Sequence, residues 1–345
     1  MNTQIFKMTP DSIDAQAINS CAEIIKKGGL VAFPTETVYG LGADATDSDA
    51  AQKIYAAKGR PSDNPLIIHI AEPADAERYA YTSELYYKLA EAFMPGPLTV
   101  ILPKKDIIPD GVTGGLDTVA VRCPSHEIAR ELIKEAGVAI AAPSANLSGS
   151  PSPTTAAHVI SDMSGRIDAI IDGGCSEIGL ESTIVKLDNN TAVMLRPGAI
   201  TADALGCVCE KVEIAAAVTE LLGENERPLS PGMKYKHYAP VAPLILLDGE
   251  LDAVTDFLIT AQKNESCAIL CYSEEKPLLI NKNIIDVGAR DDLESQAQIL
   301  FSALRETNSM KVDVIYAHLP TQSGLGLALY NRLIRAAAHT VKHID

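Results

Sequence analysis

Two cations on one short loop, Lys58 and Arg60 in KGRPSDNPL, lead directly into the apolar run PLIIHI, where His69 holds a position that an aliphatic side chain could fill. A Gly/Pro-bounded loop of this kind at a sheet edge can grip phosphate oxygens through charge-assisted hydrogen bonds. A loop of solvated charges beside a hydrogen-bonded core histidine fits the same residues equally well. Further on, AAPSANLSG (Ala141 to Gly149) follows the apolar run VAIAA and is dense in small hydroxyl and amide groups. That composition suits a cradle for an anion. Ser144 reads there as a donor rather than a nucleophile, since no G-x-S-x-G elbow and no relay of His and Asp accompanies it.

Other candidates stand where strands should begin or end: TVAVR from Thr118 to Arg122, EST around Ser182, and RPG at Arg196. Sheet proteins display ligands at such places. The stretch LVAFPTETVYGLGADA sets Thr35, Glu36, Thr37 and Tyr39 between an apolar run and two glycines. Its GLGADA fits G-x-G-x-x-[GA], but Asp44 would press a carboxylate on a pyrophosphate and the next helix starts too late, so the glycines are read as turn formers. A P-loop is excluded, because G-x-x-x-x-G-K-[ST] does not occur. In SPGMKYKHYAP, two lysines, one histidine and two tyrosines crowd into a segment of an otherwise acidic chain. This pattern predicts a lid that folds over a charged ligand.

The elements that must position these residues alternate. Apolar spacing predicts helices at Ile13–Lys27, Ser48–Ala57, Ser83–Phe93, His126–Glu135 and Thr155–Ile160. Strands are expected at LVAFP, Pro65–Ile70, Leu98–Leu102, Thr118–Val121, Val138–Ala141, Ala169–Ile171, Ser182–Leu187 and Ala192–Leu195. Strands that follow strands predict a twisted, mixed, open sheet with α+β character rather than a parallel one. The pattern breaks from Gly223 to Pro243. It then resumes as strict β-α alternation: LILLD, a helix near Leu251–Gln262, CAILCY, a helix near Leu293–Glu306, VDVIYAH and a helix from Leu325 to Val341. The expected division is α/β throughout: a catalytic domain over 1–212, a linker or lid over 213–242, and a small Rossmann-like domain with a parallel sheet over 243–345.

A formal charge of −16 over 345 residues repels polyanions and argues against stable nucleic-acid binding. Seven scattered cysteines form no C-x-x-C knuckle, so reduced, packed thiols are expected rather than structural zinc. The N-terminus lacks an apolar leader and no later run is long enough for a bilayer, which predicts a cytoplasmic protein with no membrane partner.

Taken in order, PTETVYGLG, KGRPSDNPLIIH, PGPLT, VAVRCP, PSANLSG, EST and RPG resemble the YrdC-type threonylcarbamoyl-AMP synthase domain. SPGMKYKHYAP followed by an α/β segment ending in G-x-G-x-A-x-x-N-R-L is similar to the long, two-domain form of that family. The resemblance implies a nucleotidyltransferase joining L-threonine, bicarbonate and ATP into threonylcarbamoyl-adenylate, with Mg²⁺ held mainly by ATP phosphates. A separate transferase would then modify adenosine 37 of tRNA. It further implies that Thr37, His69, Arg122, Ala142 and Ser182 line a threonine pocket. Lys58, Arg60, Asn64, Thr118, Ser144, Ser152 and Arg196 would surround the nucleotide, and Lys234, Tyr235, His237 and Tyr238 would form the lid. The alternative is an RNA-binding, translation-regulating protein of the same fold.

Overall fold

The computed structural model describes residues 2–220, 238–280 and 282–345, and several of its helices begin where acidic or hydroxyl side chains satisfy their first amides. Helix α1 (Ala15–Lys26) starts at Asp14, whose carboxylate accepts from the Gln16 and Ala17 amides. Helix α2 (Ser48–Lys58) starts at Asp47 and stops at Gly59, where φ is 62°. Only glycine adopts that conformation freely, so the Lys58–Arg60 loop leaves the helix at a fixed point.

The described residues fall into two units, one within 1–148, 152–177 and 181–234, the other within 149–151, 178–180 and 235–345. In the first unit the strands are β1 (Gln4–Lys7), β2 (Val31–Phe33), β3 (Gly40–Asp44), β4 (Ile67–His69), β5 (Leu98–Pro103), β6 (Thr118–Arg122), β7 (Ile140–Ala141), β8 (Ala169–Asp172), β9 (Thr183–Asp188), β10 (Thr191–Arg196) and β11 (Lys211–Ile214). They form an 11-stranded sheet in the order β1-β8-β2-β3-β7-β4-β6-β5-β9-β10-β11. Pairing is mixed, as the sequence predicts: β4 and β6 run parallel, whereas β5 and β6, β9 and β10, and β3 and β7 run antiparallel. The remaining helices are α3 (Ala76–Tyr79), α4 (Glu84–Phe93), α5 (Asp110–Thr113), α6 (Glu127–Ala136), α7 (Ala156–Met163) and α8 (Ala202–Gly206). One large core contains Ile68, Val100, Val119, Val121 and Val185 from one face of the sheet.

The second unit holds β12 (Leu244–Asp248), α9 (Leu251–Asn264), β13 (Cys267–Cys271), β14 (Ile284–Asp286), α10 (Leu293–Thr307), β15 (Val314–His318), α11 (Gly326–Ala336) and β16 (Val341–His343). Its five strands are all parallel, in the order β14-β13-β15-β12-β16. Strands buried on both sides need continuous apolar runs, which LILLD, CAILC and VIYAH supply.

Several expectations fail for local reasons. The glycines of GLGADA do not make a turn: they lie in β3, antiparallel to β2. A Cβ on Gly42 would stand 2.7 Å from Ile140 Cγ2 and 2.8 Å from Phe33 Cε1, so glycine is required by packing against neighbouring side chains. Gly42→Ala is therefore expected to cost about 1–3 kcal/mol through overpacking, measured as a lowered urea midpoint; an unchanged midpoint would refute this reading. Helix α11 ends at Ala336 rather than Val341, because Ala338 and His339 take positive φ and turn the chain into β16. Strand β7 has two residues instead of four, and β1, β11, β14 and β16 had no expectation. The boundary placed at residue 212 falls inside β11, which pairs with β10. Cys175 and Cys207 are exposed rather than packed, unlike the other five thiols.

Candidate functional site

Strand periodicity puts alternate residues of β4, β5 and β6 on the face opposite the large core. On that face Ile67, Ile101, Ala120, Ile184 and Leu195 form a small apolar floor of their own. The same alternation places His69 beyond Ile67, Arg122 beyond Ala120 and Thr99 before Ile101. Register joins them, since His69 pairs with Arg122 across β4 and β6, and Arg122 pairs with Thr99 across β6 and β5. Thr99 Oγ1 lies 2.7 Å from Ser182 Oγ. Arg196, ending β10, completes this edge by donating from Nε to the Ser182 carbonyl at 3.0 Å and from its terminal nitrogen to Ser182 Oγ at 3.1 Å.

The PTET segment closes over this group. Glu36 and Arg122 are buried and paired at 2.7 Å. The pairing is incomplete: Glu36 Oε2 and Arg122 Nε are both buried and without a hydrogen bond among the described residues. Such orphaned polar atoms are costly and mark a place where another group is accepted. Thr35 donates its hydroxyl proton to the Val38 carbonyl at 2.7 Å, so the 2.9 Å contact with Thr37 is a donation from Thr37. Thr37 Oγ1 thereby keeps acceptor capacity.

His69 is 3% exposed, lies edge-on to the Phe33 ring at 6.0 Å, and has its Nδ1 without a hydrogen bond among the described residues. Burial, reinforced by the Arg122 charge, lowers its pKa from the ordinary 6.5 to about 3. The imidazole is therefore neutral at physiological pH. Burial also lowers the pKa of nearby His126, against the raising influence of Glu36. For His69 the folded protein refuses a proton that the unfolded chain accepts below 6.5, so its contribution to stability is intact above 6.5 and is lost as pH falls toward about 3. Between about pH 7.5 and about pH 5, the wild type should lose about 2 kcal/mol more than His69→Gln in urea unfolding. Parallel pH dependence of the two proteins would contradict the assignment.

A second group gathers at the end of α2. Lys58, 3% exposed, donates to the carbonyl of Ser144, to the carbonyl of Asn146 at 2.6 Å and to Asn146 Oδ1 at 3.4 Å. Ser144 Oγ donates to Asn146 Oδ1 at 2.5 Å. The lysine thus braces the PSANLSG loop, and a bridge between Gly40 and Ser144 ties that loop to β3. Arg60 donates to the carbonyls of Asn64 and Pro65 at 3.3 and 3.2 Å. Asn64 is buried, with Oδ1 lacking a hydrogen bond among the described residues. Ala142 follows β7, its amide held by the Ile67 carbonyl at 2.8 Å. Ser152 donates to Glu181 at 2.5 Å.

Most of the residues singled out in the sequence are thus joined by register or hydrogen bonds into two neighbouring groups. Thr118 stands apart, on the face of Arg122 but about 13 Å further along β6. Lys234, Tyr235 and His237 lie outside the described residues. Tyr238 is buried in the second unit, its ring 5.1 Å from Phe301 and 5.8 Å from the Arg332 guanidinium. Glu36, Thr99, Asn146 and Glu181 also belong to these groups, through contacts that local sequence does not announce. For Glu36 a signal existed in the sequence, a carboxylate set between two threonines directly after an apolar strand.

Two family models match the chain. A family model described as "Telomere recombination" matches residues 23–198, and one described as "Threonylcarbamoyl-AMP synthase, C-terminal domain" matches residues 200–338. The chain is 45% identical over 327 residues to the threonylcarbamoyl-AMP synthase of Bacillus subtilis, covering 94% of each chain. It is 44% identical over 339 residues to that of Pyrococcus abyssi, covering 96% of this chain and 97% of the relative. Among solved structures, P. abyssi Sua5 complexed with L-threonine superimposes with a TM-score of 0.91 at 41% identity over 100% of both chains.

Proposed function

This chain belongs to the threonylcarbamoyl-AMP synthase family, and on that premise we infer how its residues carry the reaction. It is a nucleotidyltransferase-type enzyme that forms L-threonylcarbamoyladenylate and pyrophosphate from L-threonine, bicarbonate and ATP, for tRNA modification. The roles of individual residues are our reading of the first unit.

Bicarbonate takes up a proton and loses water to supply CO₂, and the neutral amine of threonine attacks that carbon and releases a proton to give the carbamate. A carbamate oxygen then attacks the α-phosphorus, the bond to the bridging oxygen breaks, and pyrophosphate leaves with the electron pair. Such chemistry needs positioning, dryness and charge neutralisation rather than a protein nucleophile. The half-satisfied Glu36–Arg122 pair carries this reading. Arg122 Nε is the donor for the threonine carboxylate, Glu36 Oε2 accepts from the amine, and neutral His69 and Thr37 line the pocket with Ala142 and Ser182. Lys58 presents the PSANLSG loop to the phosphates. Arg60, Asn64, Thr118, Ser144, Ser152 and Arg196 surround the nucleotide. Mg²⁺ would arrive on the nucleotide, held mainly by phosphate oxygens. The product passes to a separate transferase in the cytoplasm.

Pyrophosphate release from ATP, with threonine and bicarbonate supplied or omitted in turn, tests the reading. Release should require both. Release that is indifferent to threonine would overturn it.

A further inference from the structure

The second unit has a crevice that the chemistry above does not use. Strand β12 feeds α9 and then β13 on one side of the sheet, whereas its neighbour β15 feeds α11 and then β16 on the other. Right-handed crossovers in opposite directions send α9 to one face and α11 to the other. The carboxyl ends of β12 and β15 therefore flank a topological switch point, the place where open α/β sheets bind ligands. A 320 Å³ cavity lies there, lined by residues that include Asp248, Tyr272, Arg290, Asp291, His318 and Thr321. This is at the lower end of small-molecule sites. A narrower pocket shares Tyr272, Gln296, His318 and Pro320 with it and continues among Leu270, Val287, Leu300, Leu329 and Leu333.

The junction between the two is built from fixed acceptors. Glu275 is 2% exposed, and its carboxylate oxygens lie 2.8 and 3.0 Å from His318 Nε2. The carboxylate also receives the Thr255 hydroxyl at 2.8 Å and the Tyr272 amide at 2.9 Å. Burial alone would raise its pKa, but the His318 contact and these donors outweigh it and the net shift is downward. A carboxylate only accepts, so the proton in this contact sits on Nε2 of His318 and the contact fixes the ring through that nitrogen. Tyr272 stacks on the ring at 4.4 Å and locks its plane. Gln296, also buried, donates both amide protons, to Ala289 at 2.7 Å and Arg290 at 3.0 Å. Neither Gln296 Oε1 nor His318 Nδ1 makes a hydrogen bond among the described residues.

We propose that this crevice binds a free α-amino acid with an aliphatic side chain. Gln296 Oε1 and the Asp291 carboxylate, together with Asp248, which also meets His343 Nδ1 at 2.8 Å, suit an ammonium group. Arg290, which has no ion pair among the described residues, and the first amides of α9, which has no side-chain cap, suit a carboxylate. The leucine-lined pocket takes the side chain. A phosphate ligand is disfavoured, because Asp248, Asp291 and Glu275 outnumber the single arginine.

Calorimetry on the full chain with L-leucine, L-isoleucine and L-valine in turn, and with AMP as the contrary probe, tests this. One amino acid per chain should bind saturably. Arg290→Ala should weaken binding at least about fivefold, the loss of one charge-assisted contact. Leu329→Trp, which fills the inner pocket, should abolish binding, with circular dichroism to check that the variant folds. The surface variant Arg290→Ala decides the matter if Leu329→Trp does not fold. Absence of saturable heat below roughly ten millimolar with all three amino acids, or binding indifferent to Arg290→Ala, would overturn the proposal. AMP heat that Arg290→Ala removes, with no amino-acid heat, would overturn it as well.

Discussion

Arg122→Ala is expected to destabilise the first unit by about 3–5 kcal/mol and to abolish threonine-dependent pyrophosphate release. The stability loss follows from Glu36, buried and 2.7 Å from the guanidinium, which the substitution strands as an uncompensated charge. Removing both partners tells stability from function: Arg122→Met combined with Glu36→Leu leaves no orphaned charge and should recover most of the urea midpoint. Activity should not return, because the amino acid has lost both its carboxylate donor and its amine acceptor. A double variant that regains turnover would show that the pair is structural only.

Lys58→Met is expected to lower adenylate formation at least about a hundredfold, about 2.7 kcal/mol of transition-state stabilisation. The ammonium holds two backbone carbonyls and one side-chain oxygen of the PSANLSG loop, so its loss frees the loop that presents Ser144. A guanidinium is larger and planar, so Lys58→Arg should rescue little. Ser144→Ala, which removes one hydroxyl and leaves the brace, should cost less. Equal effects from Ser144→Ala and Lys58→Met in pyrophosphate-release kinetics would contradict the bracing role.

Much of this site was legible in the chain because its residues violate local patterns. A histidine inside PLIIHI and an arginine closing TVAVR are expensive in apolar strands, and both face the same apolar floor. Pairing was less legible. Glu36 and Arg122 are 86 residues apart, and nothing near either names the other. Local propensity reads the glycines of β3 as a turn, whereas their use is set by the Phe33 ring and by Ile140 on other strands. The parallel sheet of the second unit was plain from its apolar runs. The insertion of β15 between β12 and β13, which creates the switch point, is a matter of long-range topology that periodicity does not encode.

The most direct test of the account is a structure of the protein with L-threonine and a non-hydrolysable ATP analogue bound together. The account predicts the threonine carboxylate at Arg122, the amine at Glu36, and the α-phosphate beside the Lys58-braced loop on the same face of the first sheet. Ligands on opposite faces of that sheet, or a threonine carboxylate remote from Arg122, would contradict it.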